Sequence, residues 1–296
     1  EEIAKKIAVK MTKRELQSGI QTIQYQVNTL LTTNGQAPFV TMFMNIKEGM
    51  PYEKEMAMII EEVLSQRIEG IENAVGIKIT PSFPKLVYVL NESTTKGGKY
   101  YYLTELAAKC TAKRMYPDYI SEKKMSEIYS GNCFFPMGCR SFLPAWKDEN
   151  GNYRFEGRLN IGVQTLNLPQ IAILANKDKN LFYNILEERL KLIREMGMLR
   201  YNLLKNQPSD VSPIHWQYGG IARLGQGEKI GKLFLDGYAT ISVGYIGLHE
   251  AVYAMLSESI TTKEGHEFAL DILNFMKSRA DRWKEETRLA FTLYGT

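Results

Sequence analysis

The chain has 296 residues, 44% of them hydrophobic and 24% charged, which is the balance of a folded chain with a sizeable core and excludes collagen-like, low-complexity and disordered classes. Its 37 Lys+Arg against 33 Asp+Glu leave a formal charge of +4, too mild an excess to argue for a nucleic-acid partner. No apolar run reaches the roughly 18 residues of a membrane span, and the three cysteines, an odd number, suit a reducing, cytoplasmic setting better than a disulfide framework.

The opening Glu1-Glu2-Ile3-Ala4-Lys5-Lys6 lacks the apolar core of a secretory signal. Ile20, Ile23, Val27 and Leu30 then fall at helical spacing within 16–31, predicting one apolar face, with Gln21, Gln24 and Gln26 around the remainder. Thr33-Asn34-Gly35 stops this helix, and 38–44 reads as a short buried strand. Helical spacing returns over 54–68 through Met58, Ile59 and Val63, and Lys85–Leu90 reads as a strand. Gly97-Gly98 breaks the chain before a helix over 102–115 with Leu103, Leu106 and Cys110 on one face. The stretch 131–143 has poor periodicity and reads as an ordered loop, and 147–152 as a solvated turn. Strands are predicted over 160–168 and 239–245, and helices over 180–196, after Gly247 and over 263–283. Strand–loop–helix alternation without internal repeats or a Pro/Gly/Ser-rich linker indicates one α/β domain, layered or barrel-like.

Metal binding finds no support in the sequence. His249-Glu250 and His266-Glu267 each begin an HExxH pattern, but Tyr253 and Leu270 stand where the second imidazole is needed. Cys133 and Cys139 lack the close paired spacing of a zinc knuckle. The run 225–232 is not a phosphate loop, because Gln226 and Leu233 occupy positions that require Gly and Ser or Thr; it reads as a polar turn before a strand at Leu233. Lys96-Gly97-Gly98-Lys99 is likewise a turn. Cys110 belongs to the core, and Cys133, among Phe134 and Phe135, to packing. Cys139 sits in Pro136-Met137-Gly138-Cys139-Arg140-Ser141, where no regular face hides it and Arg140 places positive charge nearby; a reactive thiol and an inert buried one both fit that setting.

Longer strings go further. Pro-Met-Gly-Cys-Arg-Ser-Phe-Leu (136–143), Gly157-Arg158-Leu159-Asn160-Ile161-Gly162, Leu166-Asn167-Leu168-Pro169, Gly35-Gln36-Ala37-Pro38-Phe39-Val40-Thr41, Ala112–Asp118, Ser242–Leu248 and the terminal Leu293-Tyr294-Gly295-Thr296 occur in an order that closely resembles the class III anaerobic ribonucleoside-triphosphate reductases. The resemblance implies a ten-stranded α/β barrel of the glycyl-radical and ribonucleotide-reductase type with a central finger loop. Only part of that barrel is expected here, with 1–296 lying inside one catalytic domain.

The resemblance makes 131–143 the finger loop and Cys139 the thiyl-radical residue that takes hydrogen from C3′ of a ribonucleoside triphosphate. Asn160 matches a position at the substrate ribose, and Ser141 and Met137 flank the radical cysteine as pocket residues. A strand-end cap, a loop hydrogen bond and core filling are their respective structural alternatives.

The family's glycyl radical and four-cysteine zinc site belong to a C-terminal region, and its ATP cone to an N-terminal one. Neither lies within these residues, so the segment is expected to bind no cofactor itself and to be inactive alone. The glutamine-rich helix, through Gln17, Gln21 and Gln24, resembles the family's homodimer interface, where ATP and deoxynucleotide effectors set substrate choice. An iron–sulfur, S-adenosylmethionine-dependent activase is a further implied partner. Two other functions remain open at this stage: a nucleotide-sensing or dimerising segment without chemistry, and a different glycyl-radical enzyme.

Overall fold

The computed structural model describes residues 2–30, 35, 39–134, 136, 143, 146–147, 150–155 and 157–295. The chain divides into two compact units, Glu1–Cys139 and Arg140–Thr296, each with its own core.

The first unit contains α1 (Glu2–Thr29), β1 (Thr41–Met44), α2 (Glu53–Glu69), β2 (Ile71–Glu72), β3 (Lys78–Ile79), β4 (Lys85–Leu90), α3 (Tyr101–Arg114), β5 (Asp118–Ser121) and α4 (Glu122–Ile128). Its main sheet is three-stranded and parallel, in the order β1-β4-β5. Strand β4 is apolar on both faces: Leu86, Val87, Tyr88 and Val89 are all buried. Leu86 and Tyr88 point into a core built with Ile60, Val63 and Leu64 of α2 and Leu103, Ala107 and Cys110 of α3. A continuous apolar run is what a strand closed in on both sides requires. Arg67 is buried on α2 and donates to the carbonyls of Pro81 (3.0 Å) and Pro84 (2.6 Å), with its guanidinium 5.1 Å from the Tyr116 ring centre.

The second unit contains β6 (Trp146–Lys147), β7 (Tyr153–Arg154), β8 (Leu159–Asn167), α5 (Leu168–Ala175), α6 (Lys179–Leu204), α7 (Pro213–Trp216), β9 (Ala239–Ile246), α8 (Leu248–Leu256), α9 (Lys263–Thr287) and β10 (Ala290–Gly295). β6 and β7 form a short antiparallel hairpin around the turn expected at 147–152. The main sheet is again three-stranded and parallel, in the order β10-β9-β8. Side-chain caps start three of the helices. Asn167 accepts from the Gln170 N–H, Asp178 from those of Asn180 and Leu181, and Thr262 from that of Gly265. Each satisfies backbone donors that the first helical turn leaves without partners. Leu166, Ala239, Ile241, Val243 and Phe291 project from one face of the sheet into a core completed by α5, α6, α8 and α9. On α6, Gly197 lies against the sheet; a Cβ there would meet Phe291 at 3.0 Å and Ile241 at 3.2 Å.

Several expectations are corrected. Ile20 is buried as the spacing predicts, but Ile23 and Leu30 are exposed, and Gln24 takes an inward place because it finds a polar partner on α2. The first strand is Thr41–Met44, so Phe39 and Val40 precede it, while Pro38 lies outside the described residues. The stretch before β9 is a 3-10 turn over Ile230–Phe234, with no strand at Leu233. The helix expected over 180–196 runs to Leu204. Strands β5 and β10 have no counterpart among the elements read from periodicity. Cys110 is fully buried, as its helical face implies.

Candidate active site

Cys139, Ser141 and Met137 lie outside the described residues. Of the residues assigned to the reacting centre, Asn160 is the one whose surroundings are on view, and the polar face of the second sheet surrounds it.

Alternation along β9 puts Ala239, Ile241 and Val243 into the helix-covered core, so Thr240, Ser242 and Gly244 face the other way. Register places Thr240 between Asn160 of β8 and Ala290 of β10, and Ser242 between Val163 and Thr292. One sheet face is thus aliphatic and aromatic, while the opposite face carries a carboxamide and hydroxyls. Thr240 and Ser242 are nonetheless buried, and Thr240 Oγ1 has no hydrogen-bond partner among the described residues.

Asn160 sits where β8 breaks register by one residue, between Asn160 and Gly162. Bulges re-aim side chains and are frequent beside active sites. Its Oδ1 accepts from the Gly162 N–H at 2.7 Å, and its Nδ2 donates to Ser242 Oγ at 2.5 Å. The strand-cap alternative therefore describes part of what Asn160 does, since its oxygen does close the bulge. One amide proton and one oxygen lone pair have no partner among the described residues.

Two residues before it, Arg158 is buried, donating to the carbonyls of Gly237 (2.6 Å) and Tyr238 (3.4 Å) in the chain entering β9. Its Nη1 has no partner among the described residues, and burial pushes the guanidinium pKa down to about 10. Sequence reasoning assigned no role to Arg158 or Ser242. The available signal was the alternation Ala-Thr-Ile-Ser-Val-Gly over 239–244, apolar against small polar, which marks a two-faced strand.

The remaining assigned residues lie on α1 in the first unit. Gln17, Gln21 and Gln24 line a groove of about 1040 Å³ together with Glu62, Gln66 and Lys78. Gln24 is buried, its Nε2 donating to Gln66 Oε1 at 3.1 Å, while Gln66 Nε2 donates to the Gln17 carbonyl at 2.9 Å. Glu62, Glu69 and Glu72 outnumber Lys78 along the groove. That charge disfavours a polyphosphate unless cations from outside the groove neutralise it. Elsewhere on α1, Ile3, Ile7 and Met11 are exposed at i, i+4 and i+8.

No group of three His, Cys, Asp or Glu among the described residues is placed to hold a metal. With three cysteines, one of them sealed in the first core, this chain's donor set does not fit a four-thiolate zinc centre. Burial raises the thiol pKa of Cys110; burial first, then Glu122, raises that of Cys133. Both are the opposite of an activated cysteine. Among the described residues, no helix is long and apolar enough to cross a membrane.

The model of the anaerobic ribonucleoside-triphosphate reductase family matches residues 3–296. The chain belongs to that family. It is 38% identical over 290 residues to the anaerobic ribonucleoside-triphosphate reductase of Escherichia coli K12, covering 96% of this chain and 40% of that protein. The enzyme of the same name from bacteriophage T4 is 38% identical over 295 residues, covering 96% and 46%. The chain thus spans less than half the length of these reductases. A solved structure of the anaerobic ribonucleotide reductase from Thermotoga maritima, in complex with dATP and CTP, superposes with a TM-score of 0.61 at 16% identity, covering 95% of this chain and 45% of that one. At that identity the likeness establishes the fold: the α/β architecture of the reductase, of which this chain supplies a part.

Proposed function

We propose that this chain forms part of the catalytic barrel of an anaerobic reductase that converts ribonucleoside triphosphates to deoxyribonucleoside triphosphates. The observation that carries the reading is the polar face of β8-β9-β10, with Asn160 held at a bulge, in a chain matched to the family almost end to end. Asn160 offers its free N–H and lone pair to the ribose hydroxyls, and so fixes the sugar relative to the attacking sulfur. Cys139 supplies that sulfur and removes the C3′ hydrogen. An S–H bond is weak enough to be broken and remade within one turnover. Loss of the 2′-hydroxyl as water follows, with two electrons and two protons drawn from a reductant outside these residues. The family's glycyl radical supplies the initial oxidation of the cysteine. Ser141 and Met137 complete the pocket beside Cys139, and 1–296 acts as part of one catalytic domain with Cys139 at a finger-loop tip.

Helix α1 carries the regulatory half of the proposal. Its exposed stripe Ile3, Ile7 and Met11 supports packing against a second subunit, with Gln17, Gln21 and Gln24 at the end of that surface where an effector deoxynucleotide would be read. The acidic groove requires the effector's phosphates to be met by cations from elsewhere. Among the open alternatives, a different glycyl-radical enzyme finds no support in relatives that are named reductases.

The deciding experiment compares Cys139→Ala and Asn160→Ala with the parent in the activated holoenzyme. Cys139→Ala should abolish deoxynucleotide formation. Asn160→Ala should lower kcat about 100-fold, the scale of a misplaced reacting group, while its thermal transition moves little. Turnover in Cys139→Ala would refute the mechanism. Separately, Ile7→Asp with Met11→Asp should shift sedimentation from dimer to monomer; an unchanged dimer would remove α1 from the interface.

A further inference from the structure

The hydrogen bonds around Asn160 have only one consistent direction. A backbone N–H can donate and never accept, so the atom facing Gly162 N at 2.7 Å must be Oδ1. That settles the orientation of the carboxamide and turns Nδ2 toward Ser242, whose Oγ is therefore the acceptor in the 2.5 Å contact. The run is Gly162 N–H to Asn160 Oδ1, then Asn160 Nδ2–H to Ser242 Oγ. Each bond polarises the next, so the amide proton left over on Nδ2 belongs to a group held at both ends.

Ser242 is fully buried, and its own proton finds no acceptor among the described residues. Thr240 Oγ1, on the same face two residues earlier, has no partner among the described residues and does not take it. A buried serine that accepts from one side chain and satisfies nothing else within its own unit is not explained by strand stability. Valine or alanine would serve a parallel strand better.

We propose that Ser242 is a positioning residue for the reduction: it holds the Asn160 carboxamide so that one N–H and one lone pair face the ribose. The inference rests on the reading of Asn160 given above. Without Ser242 Oγ the amide keeps only its Gly162 contact and rotates about χ2, and a ribose hydroxyl meets it in several orientations instead of one.

The test uses the activated holoenzyme with Ser242→Ala, Asn160→Ala, the double variant and Ser242→Thr. Ser242→Ala should lower kcat about tenfold with KM within about twofold, the signature of lost orientation rather than lost binding. The double variant should be no slower than Asn160→Ala, because Ser242 acts through that residue. Ser242→Thr, which keeps the acceptor, should restore most of the rate. Ser242→Cys, similar in volume but a weak acceptor, should repeat the loss if the alanine variant folds poorly. A readout without turnover comes from proton exchange of the Asn160 carboxamide, slow in the parent and faster in Ser242→Ala. Parent-like kcat in Ser242→Ala, or a double variant slower by the product of the two single losses, would overturn the positioning role. Full turnover in Asn160→Ala would instead overturn the site reading itself, and unchanged carboxamide exchange in Ser242→Ala would show that the serine does not hold the amide.

Discussion

The two units build the same sheet and use it differently. Each has three parallel strands with helices packed on one face. In the first, the central strand is apolar on both faces, Leu86 and Tyr88 one way and Val87 and Val89 the other. In the second, the central strand turns Ile241 and Val243 to the helices and Thr240 and Ser242 away from them. Equal architecture with unequal side chains sets the two sheets apart: a face of hydroxyls and a carboxamide offers hydrogen-bond donors and acceptors that a valine face lacks. The units also share a device. Each holds one arginine inside, bound to main-chain carbonyls rather than to a carboxylate, Arg67 in the first and Arg158 in the second.

The shared device gives the largest expected stability effect. Arg67→Leu and Arg158→Leu each strand two carbonyls, and each should cost about 2 kcal/mol after relief of the buried charge, measured by urea unfolding. Lysine should not rescue either, since one ammonium cannot span two carbonyls as the guanidinium fork does. If only one variant is destabilised, the two arginines are not equivalent and the parallel fails. The faces themselves are tested by an exchange: Val89→Thr should cost about 1–2 kcal/mol by burying a hydroxyl, whereas Thr240→Val should be neutral or stabilising by up to about 1 kcal/mol because its hydroxyl has no partner among the described residues. Equal costs for both would erase the distinction between the faces.

A smaller effect belongs to Gln164, buried on β8 with neither amide atom bonded among the described residues. Gln164→Leu should raise stability by about 1 kcal/mol in the same assay, and a loss would reveal a partner for that amide. The slightest effect is kinetic. Because burial raises both the Cys110 and Cys133 thiols, less thiolate exists at any given pH, and alkylation at pH 8 should be slower than for an unfolded thiol. In stability terms the sign is the same: full below the ordinary thiol pKa of about 9, and falling as pH rises through the folded value. Stopped alkylation with mass readout distinguishes the two sites, with Cys110 the slower.

Much of this was legible from side-chain pattern. Strand β4 is an apolar run, β9 alternates apolar with small polar residues, and α3, α6 and α9 have clear stripes, so side-chain pattern alone locates them. What escaped has specific causes. Gln24 faces inward because Gln66 supplies its partner from 42 positions away, which no local pattern contains. β5 and β10 are short strands at sheet edges whose pairing with β4 and β9 decides their state. At the site, the family strings marked Asn160, but Ser242 becomes its partner only through the register of β8 against β9, offset by the bulge.

Gly197 has a mechanical consequence. Because α6 presents bare backbone at that turn, the ring of Phe291 and the branched chain of Ile241 sit in a notch rather than on a ridge. A helix resting on a smooth sheet can slide by shear, but here sliding would force both side chains out over neighbouring turns of a densely packed core. The helix layer and β9-β10 are thus latched in register, and the polar face on the far side of those strands inherits that stiffness. Filling the notch with a side chain would lift the latch, and the helix layer would then be free to shift along the strands that carry Ser242.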